Sequence, residues 1–340
     1  MKFSAKFIVA VSLALFFCVA GHARRTSKAP MAVIFDTDLG NDTDDVIAMD
    51  ILYKYANEGK ISILAEGINK EGLGPAEYMD ILNQWYGHPD IPFGIIHNGA
   101  KCGGANNYAT TVNALTDANG KPLFARTPGM DYASLPESHL LYRKILAGCK
   151  NKSVTFVAVG FSTNLARLLD TPADEYSPLT GSELVATKVK NLVMMAGSFN
   201  GARSREFNVR YDIRAAQKVV TEWPTPVVFV PFELGSQVRY PSTSIENDFN
   251  WVDHHPMVEA YIVYKPMPHD RPCWDPAALV YAVEGDKWFG VSSPGFISIS
   301  DKGTTTFKAS KKGKHTYLTV TPEQASALKD RIVEIVTRRR

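Results

Sequence analysis

The apolar run Ala32-Val33-Ile34-Phe35 leads directly into Asp36-Thr37-Asp38-Leu39-Gly40-Asn41-Asp42-Thr43-Asp44-Asp45, so five carboxylates fall within ten residues. Packed together at neutral pH, such acids repel one another. A bound hard cation removes that difficulty, because carboxylate oxygens are what it prefers as ligands. The run reads as a buried strand that ends in a Gly-containing acidic loop, and residues 46–55 read as a helix after it. In open α/β sheets that junction lies at the carboxyl end of a strand, where sites are built.

The same pattern recurs down the chain. Strand-like runs at 32–35, 61–65, 154–159, 191–195 and 227–230 alternate with helix-like segments at 79–86, 138–149, 164–169 and 213–222. Near-continuous apolar strands between helices predict an α/β fold with a mostly parallel central sheet, Rossmann-like and open, covered by helices on both faces. Residues 296–300 and 317–320 flank a polar Lys/Gly stretch and read as an antiparallel hairpin, followed by a helix at 322–337. Residues 100–132 are rich in Gly, Asn, Thr and Pro and read as a long loop, as do residues 241–253.

At the start, Lys2 and Lys6 precede an apolar run from Phe7 to Ala20, and Gly21-His22-Ala23 offers small residues for cleavage. This reads as a secretory signal over 1–23, with a single domain over 24–340 exported to a periplasm or beyond. The apolar run is shorter than the ~20 residues of a membrane span. Cys18 would allow a lipoprotein, but the bulky Phe17 before it argues against lipid attachment. A net charge of +2 gives no electrostatic case for nucleic acid. Cys102, Cys149 and Cys273 have neither zinc spacing nor the look of a disulfide framework.

Polar residues gather where the alternation places strand ends. These are Asn69; Thr163-Asn164; Met195-Ala196-Gly197 with Asn200; Glu206-Phe207-Asn208; and Trp274-Asp275 ahead of an apolar helix. Singly, an Asn after a strand is a turn residue and an Asp before a helix is an N-cap. As an ordered set, with the longer acidic motif Asp-x-Asp-x-Gly-x-Asp-x-Asp-Asp, the chain resembles the inosine-uridine preferring nucleoside hydrolase family. The shorter form of that motif carries a Pro where this chain has Leu39, and two fewer residues before the closing acid pair.

The resemblance implies a calcium-dependent hydrolase that cleaves the N-glycosidic bond of ribonucleosides in purine or pyrimidine salvage. It also implies a homo-oligomer, dimer or tetramer. By position, Asp38 matches the acid that touches calcium and acts as general base on water. Asp45 and Asp275 match further metal ligands, and Thr163 the residue that offers its carbonyl. Asp44 matches the acid at the ribose hydroxyls, with Asp42 a rival. Asn69, Asn200, Glu206 and Asn208 match residues that hold the ribose, and Met195 lines the sugar site.

That chemistry needs these residue types. Cleavage builds positive charge on the sugar, and nearby carboxylates stabilise it. One departure stands out. The family's His before the late Asp is Trp274 here, and an indole stacks on a base but donates no proton as an acid. Tyr261, Tyr264, His254, His255, His269 and His97 are the candidates to replace it. Base preference is expected to reside in residues 99–108 and 241–265. Two other readings compete: a haloacid-dehalogenase-like phosphatase, on Asp36-Thr37-Asp38, and an exported nucleoside- or sugar-binding homologue without turnover, on Trp274.

Overall fold

The computed structural model describes residues 29–100, 102, 108–201 and 205–339. The expected signal segment and Cys18 lie outside the described residues, as does most of 101–107. The strands are β1 (Met31–Thr37), β2 (Ile61–Ile68), β3 (Phe93–Gly94), β4 (Val154–Ala158), β5 (Val189–Met195), β6 (Val227–Val230), β7 (Arg239–Tyr240), β8 (Arg271–Pro272), β9 (Gly290–Val291), β10 (Gly295–Ile299), β11 (Thr305–Ala309) and β12 (His315–Thr319). All but β7 and β8 join one sheet in the order β11-β10-β12-β6-β5-β4-β1-β2-β3, with β9 beside β12. From β3 to β6 every pairing is parallel. The chain therefore winds outward from β1 to β3, then crosses back to β4 and winds the other way. The switch point lies between β1 and β4, which is where such sheets open a crevice at their carboxyl ends.

Residues alternate between the two faces of each strand. Val33, Phe35, Val157, Val193, Val228 and Val230 pack into one core. Ile34, Phe156, Leu192, Met194, Val227 and Phe229 pack into the other. This double burial explains why the strands read as unbroken apolar runs. The helix Asp44–Asn57 packs against the late helix Trp274–Glu284 over the first core. Among the described residues no helix is long and apolar enough to cross a membrane.

The expected C-terminal hairpin is paired differently. β10 pairs with β11, a strand formed from Thr305–Ala309 inside the stretch expected to be loop. β12 instead lies parallel to β6 and meets β10 at one end, where Gly295 pairs with His315 and the Ile297 N–H donates to His315 Nδ1 at 2.9 Å. The polar residues of β11 are tolerated because it is the outer edge of the sheet. The long loops also carry short helices, Tyr108–Asn113 and Ser242–Asn247.

One buried acid away from the crevice bears on stability. Glu66 on β2 is fully buried and accepts from Asn83 Nδ2 at 3.0 Å. Burial pushes its pKa from the ordinary 4.5 up to about 7. A raised folded-state pKa means the folded chain is favoured most below the ordinary value, and that this advantage is lost as pH rises through the raised one. Glu66→Gln should therefore raise the unfolding free energy at pH 8 by on the order of 2 kcal/mol and leave pH 4 nearly unchanged, as read by denaturant melts across pH.

Candidate active site

The carboxyl end of β1 is fastened before the acidic loop begins. Asp36 is fully buried and accepts from Asn69 Nδ2 at 2.5 Å, Tyr142 Oη at 2.6 Å and Asn164 Nδ2 at 2.8 Å. Burial raises its pKa to about 6 against those three donors. Asn69 in turn accepts from the Phe161 backbone N–H at 3.0 Å, tying the ends of β2 and β4 to β1. The loop then turns at Gly40, whose φ of 100° suits a residue without a side chain, and whose N–H donates to Tyr108 Oη at 2.9 Å.

Beyond this turn a cavity of about 280 Å³ opens, lined by Asp38, Asn41, Asp42, Asp44, Asp45, Val159, Met195, Glu206, Phe207, Asn208, Phe232, Tyr264, Arg271, Trp274 and Asp275. Its size lies at the lower end of small-molecule sites, around 300 Å³. Asp44 and Asp45 occupy the first turn of the helix Asp44–Asn57, where the helix dipole favours negative charge. Asp44 also accepts from the backbone N–H groups of Trp274 and Asp275, at 3.1 and 3.2 Å, capping the helix Trp274–Glu284. Thr37 donates to Asp45. Carboxylate oxygens of Asp44, Asp45 and Asp275 lie within 4.8 Å of one another, all buried. Asp38 lines the same cavity outside that trio, and one of its oxygens accepts from Asn41 Nδ2 at 2.5 Å.

The electrostatics follow from this crowding. Burial, then the neighbouring acids Asp38 and Asp44, hold the Asp45 pKa well above the ordinary range. Burial and the charges of Asp44, Asp45 and Asp38 do the same to Asp275. Asp38 rises to about 7 by burial, partly offset by Asn41 and the charge of Lys70. Asp44 also rises, chiefly by burial. Only oxygen ligands are present, buried and mutually repelling, which is the donor set of a hard divalent cation.

On the opposite wall, Glu206 caps the short helix Phe207–Tyr211 by accepting from the N–H groups of Asn208 and Val209, at 2.9 and 3.1 Å. Asn208 Nδ2 donates to the carbonyls of Val159 and Met195, at 2.9 and 3.1 Å, joining the ends of β4 and β5. Trp274 stacks on Phe232 with centroids 5.5 Å apart, and its indole N–H donates to the Phe232 carbonyl at 2.8 Å. A Cβ at Gly235 would lie 2.1 Å from the Trp274 ring, so that approach requires glycine.

The cavity thus brings together Asp38, Asp42, Asp44, Asp45, Met195, Glu206, Asn208, Trp274 and Asp275 from the expected set. Three expected residues stand outside it. Thr163 opens the next helix and its hydroxyl donates to Asp212 at 2.5 Å; the residue of that segment lining the cavity is Val159, at the end of β4. Asn69 spends its side chain on Asp36 and Phe161. Asn200 donates its backbone N–H to Glu233 at 3.1 Å and borders a separate surface hollow. The rivals Asp42 and Asp44 are distinguished by burial: the Asp42 side chain is 26% exposed and paired with Arg271, whereas Asp44 is buried.

Sequence reasoning missed Arg271, Asn41, Val159, Phe207 and Phe232. The aromatics follow or interrupt quoted segments at strand ends, a signal that was present. A lone Arg three residues before Trp274 carried none. Of the candidates to replace the missing His, only Tyr264 lines the cavity; its hydroxyl donates to Asp42 at 3.4 Å, and burial raises its pKa to about 12. His97 is exposed.

The family model described as inosine-uridine preferring nucleoside hydrolase matches residues 33–329. A plant nucleoside hydrolase shares the fold at 22% identity and TM-score 0.66, over 89% of this chain and 99% of that one. A purine-preferring ribonucleoside hydrolase from Gardnerella vaginalis gives 16% and 0.65, over 90% of this chain and 99% of that one. An inosine-uridine preferring nucleoside hydrolase from Bacillus anthracis gives the same values of 16%, 0.65, 90% and 99%. A search of curated protein sequences finds no match.

A cation test follows from the buried acids. Their raised pKa values mean that these acids favour the metal-free fold most at acid pH, a contribution lost as pH rises through neutrality. Calcium chloride should therefore raise the melting temperature more at pH 8 than at pH 5.5. Asp275→Asn should abolish that shift, and in chelator at pH 8 should melt no lower than the parent. Scanning calorimetry reads each arm.

Proposed function

We propose, from the premise that this chain belongs to the inosine-uridine preferring nucleoside hydrolase family, that it cleaves ribonucleosides to ribose and free base with calcium as its resident ion. Family membership makes it a hydrolase of N-glycosyl compounds and displaces the phosphatase reading. The observation that carries the proposal is the meeting, in one cavity, of a buried acid group with an aromatic wall. Asp45 and Asp275 would hold the ion, flanked by Asp38 and Asp44. When bound, calcium would offset the buried negative charge and favour ionisation of a water.

The chain's own groups divide the remaining work. Asp38 takes a proton on its carboxylate as the water oxygen attacks the anomeric carbon, and Asn41 fixes the orientation of that carboxylate. The surrounding carboxylates stabilise positive charge on the ribose ring. Glu206 and Asn208, at the start of the helix Phe207–Tyr211, and Met195, at the end of β5, position the sugar, held by their own hydrogen bonds. Trp274 and Phe232 offer aromatic faces to the base. Residues 1–23 support export, which would place the activity where exogenous nucleosides are met.

Incubation with a panel of ribonucleosides, followed by reducing-sugar measurement, tests this directly. Ribose release is expected, lost in chelator and restored by calcium. It should fall about 1,000-fold in Asp38→Asn, from removal of the general base and a charge next to the reacting carbon. Tight nucleoside binding without ribose release would contradict the proposal.

A further inference from the structure

We propose that Arg271 receives the departing base, acting as a fixed cation where an acid would otherwise serve; the inference rests on the ribohydrolase reading above. Arg271 lines the acidic cavity, and its side chain is only 15% exposed. The guanidinium carbon stands 5.1 Å from the Tyr264 ring centre and 5.3 Å from that of Trp274. Its Nη2 pairs with Asp42. Its Nε is buried and has no hydrogen-bond partner among the described residues. Two aromatic faces and an ion pair therefore hold a planar donor group in one place, with donor capacity left over.

Among the described residues, the histidines and ring donors near this wall are not suited to the task. His254 is half exposed and paired with Glu259 at 2.8 Å. His255 is buried among Trp85, Phe249 and Trp251, and His269 stacks on Tyr261 at 4.4 Å; neither lines the cavity. The Trp274 N–H is committed to the Phe232 carbonyl. The Tyr264 hydroxyl is directed to Asp42, which Arg271 also binds.

The step balances without an acid. The C1′–N bond breaks and its electron pair stays on the base. A C1′–O bond forms with water, whose proton passes to Asp38. The guanidinium donates N–H hydrogen bonds to a ring nitrogen or exocyclic oxygen of the base, and its charge offsets the negative charge appearing there. It keeps its own protons, since arginine is not deprotonated in proteins. The base anion then takes a proton from solvent. Asp42 is a positioning residue in this scheme, because it orients Arg271 without touching the base.

The test compares the parent chain, Arg271→Gln and Arg271→Lys on inosine and on p-nitrophenyl β-D-ribofuranoside, whose leaving group is stable as an anion. Arg271→Gln should lose kcat/KM on inosine by about 100-fold more than on the nitrophenyl riboside. Arg271→Lys should recover part of that difference by restoring the charge. The ratio between substrates should stay constant from pH 6 to about pH 7.5, since arginine does not titrate there and inosine keeps its ring proton. Equal losses on the two substrates would mean that Arg271 only holds the wall together, and would overturn the inference. A ratio that changes sigmoidally within that range would overturn it too, by revealing a titrating acid on the protein. A parent chain that hydrolyses neither riboside would instead overturn the ribohydrolase reading itself.

Discussion

Negative charge gathered in a buried crevice is the constraint from which this molecule is best understood. Asp38, Asp44, Asp45 and Asp275 are all buried, and burial together with mutual repulsion makes each reluctant to ionise. Local devices absorb part of the cost. Asp44 and Asp45 sit at the start of one helix, and Asp44 accepts from the first N–H groups of another. Asp36, two residues before Asp38, shows how a buried acid is stabilised by hydrogen bonds alone, with three side-chain donors converging on it. Asp44, Asp45 and Asp275 share the N–H groups of Trp274 and Asp275 and the Thr37 hydroxyl among three crowded acids, and an ion of opposite charge is the natural partner.

The sheet places this charge. Chain reversal at β1 and β4 opens the crevice, and the residues following β1, β4 and β5 project into it. Each wall is then fixed by bonds that cross between elements: Asn69 from β2 to β4, Asn208 from β4 to β5, and Asp44 from the first helix to the helix Trp274–Glu284. Precision at the reacting atoms thus comes from the parallel core rather than from the surrounding loops.

Much of this was legible in the sequence, and the exceptions have physical reasons. Doubly buried strands carry unbroken apolar runs, so β1, β2, β4, β5 and β6 were readable to within a few residues. β11 was not, because an edge strand facing solvent tolerates Thr and Lys and so resembles a loop. The acidic loop, Glu206, Asn208, Trp274 and Asp275 were found because they follow strand ends in order. Asn69 follows a strand end too, yet its side chain turns inward to hold Asp36. Spacing along a chain does not reveal which way a side chain turns. Arg271 was invisible for another reason: its ion-pair partner Asp42 lies far away in the chain and meets it only through the tertiary fold.

Calorimetric titration of the metal-free protein with calcium at pH 7, in two buffers of different ionisation enthalpy, tests the central claim most directly. Acids held above their ordinary pKa must give up protons when the ion enters. A single saturable site whose apparent heat differs between buffers by a net proton release, and which vanishes in Asp45→Asn, is the predicted result. Absence of binding, or binding that releases no proton and survives Asp45→Asn, would contradict it.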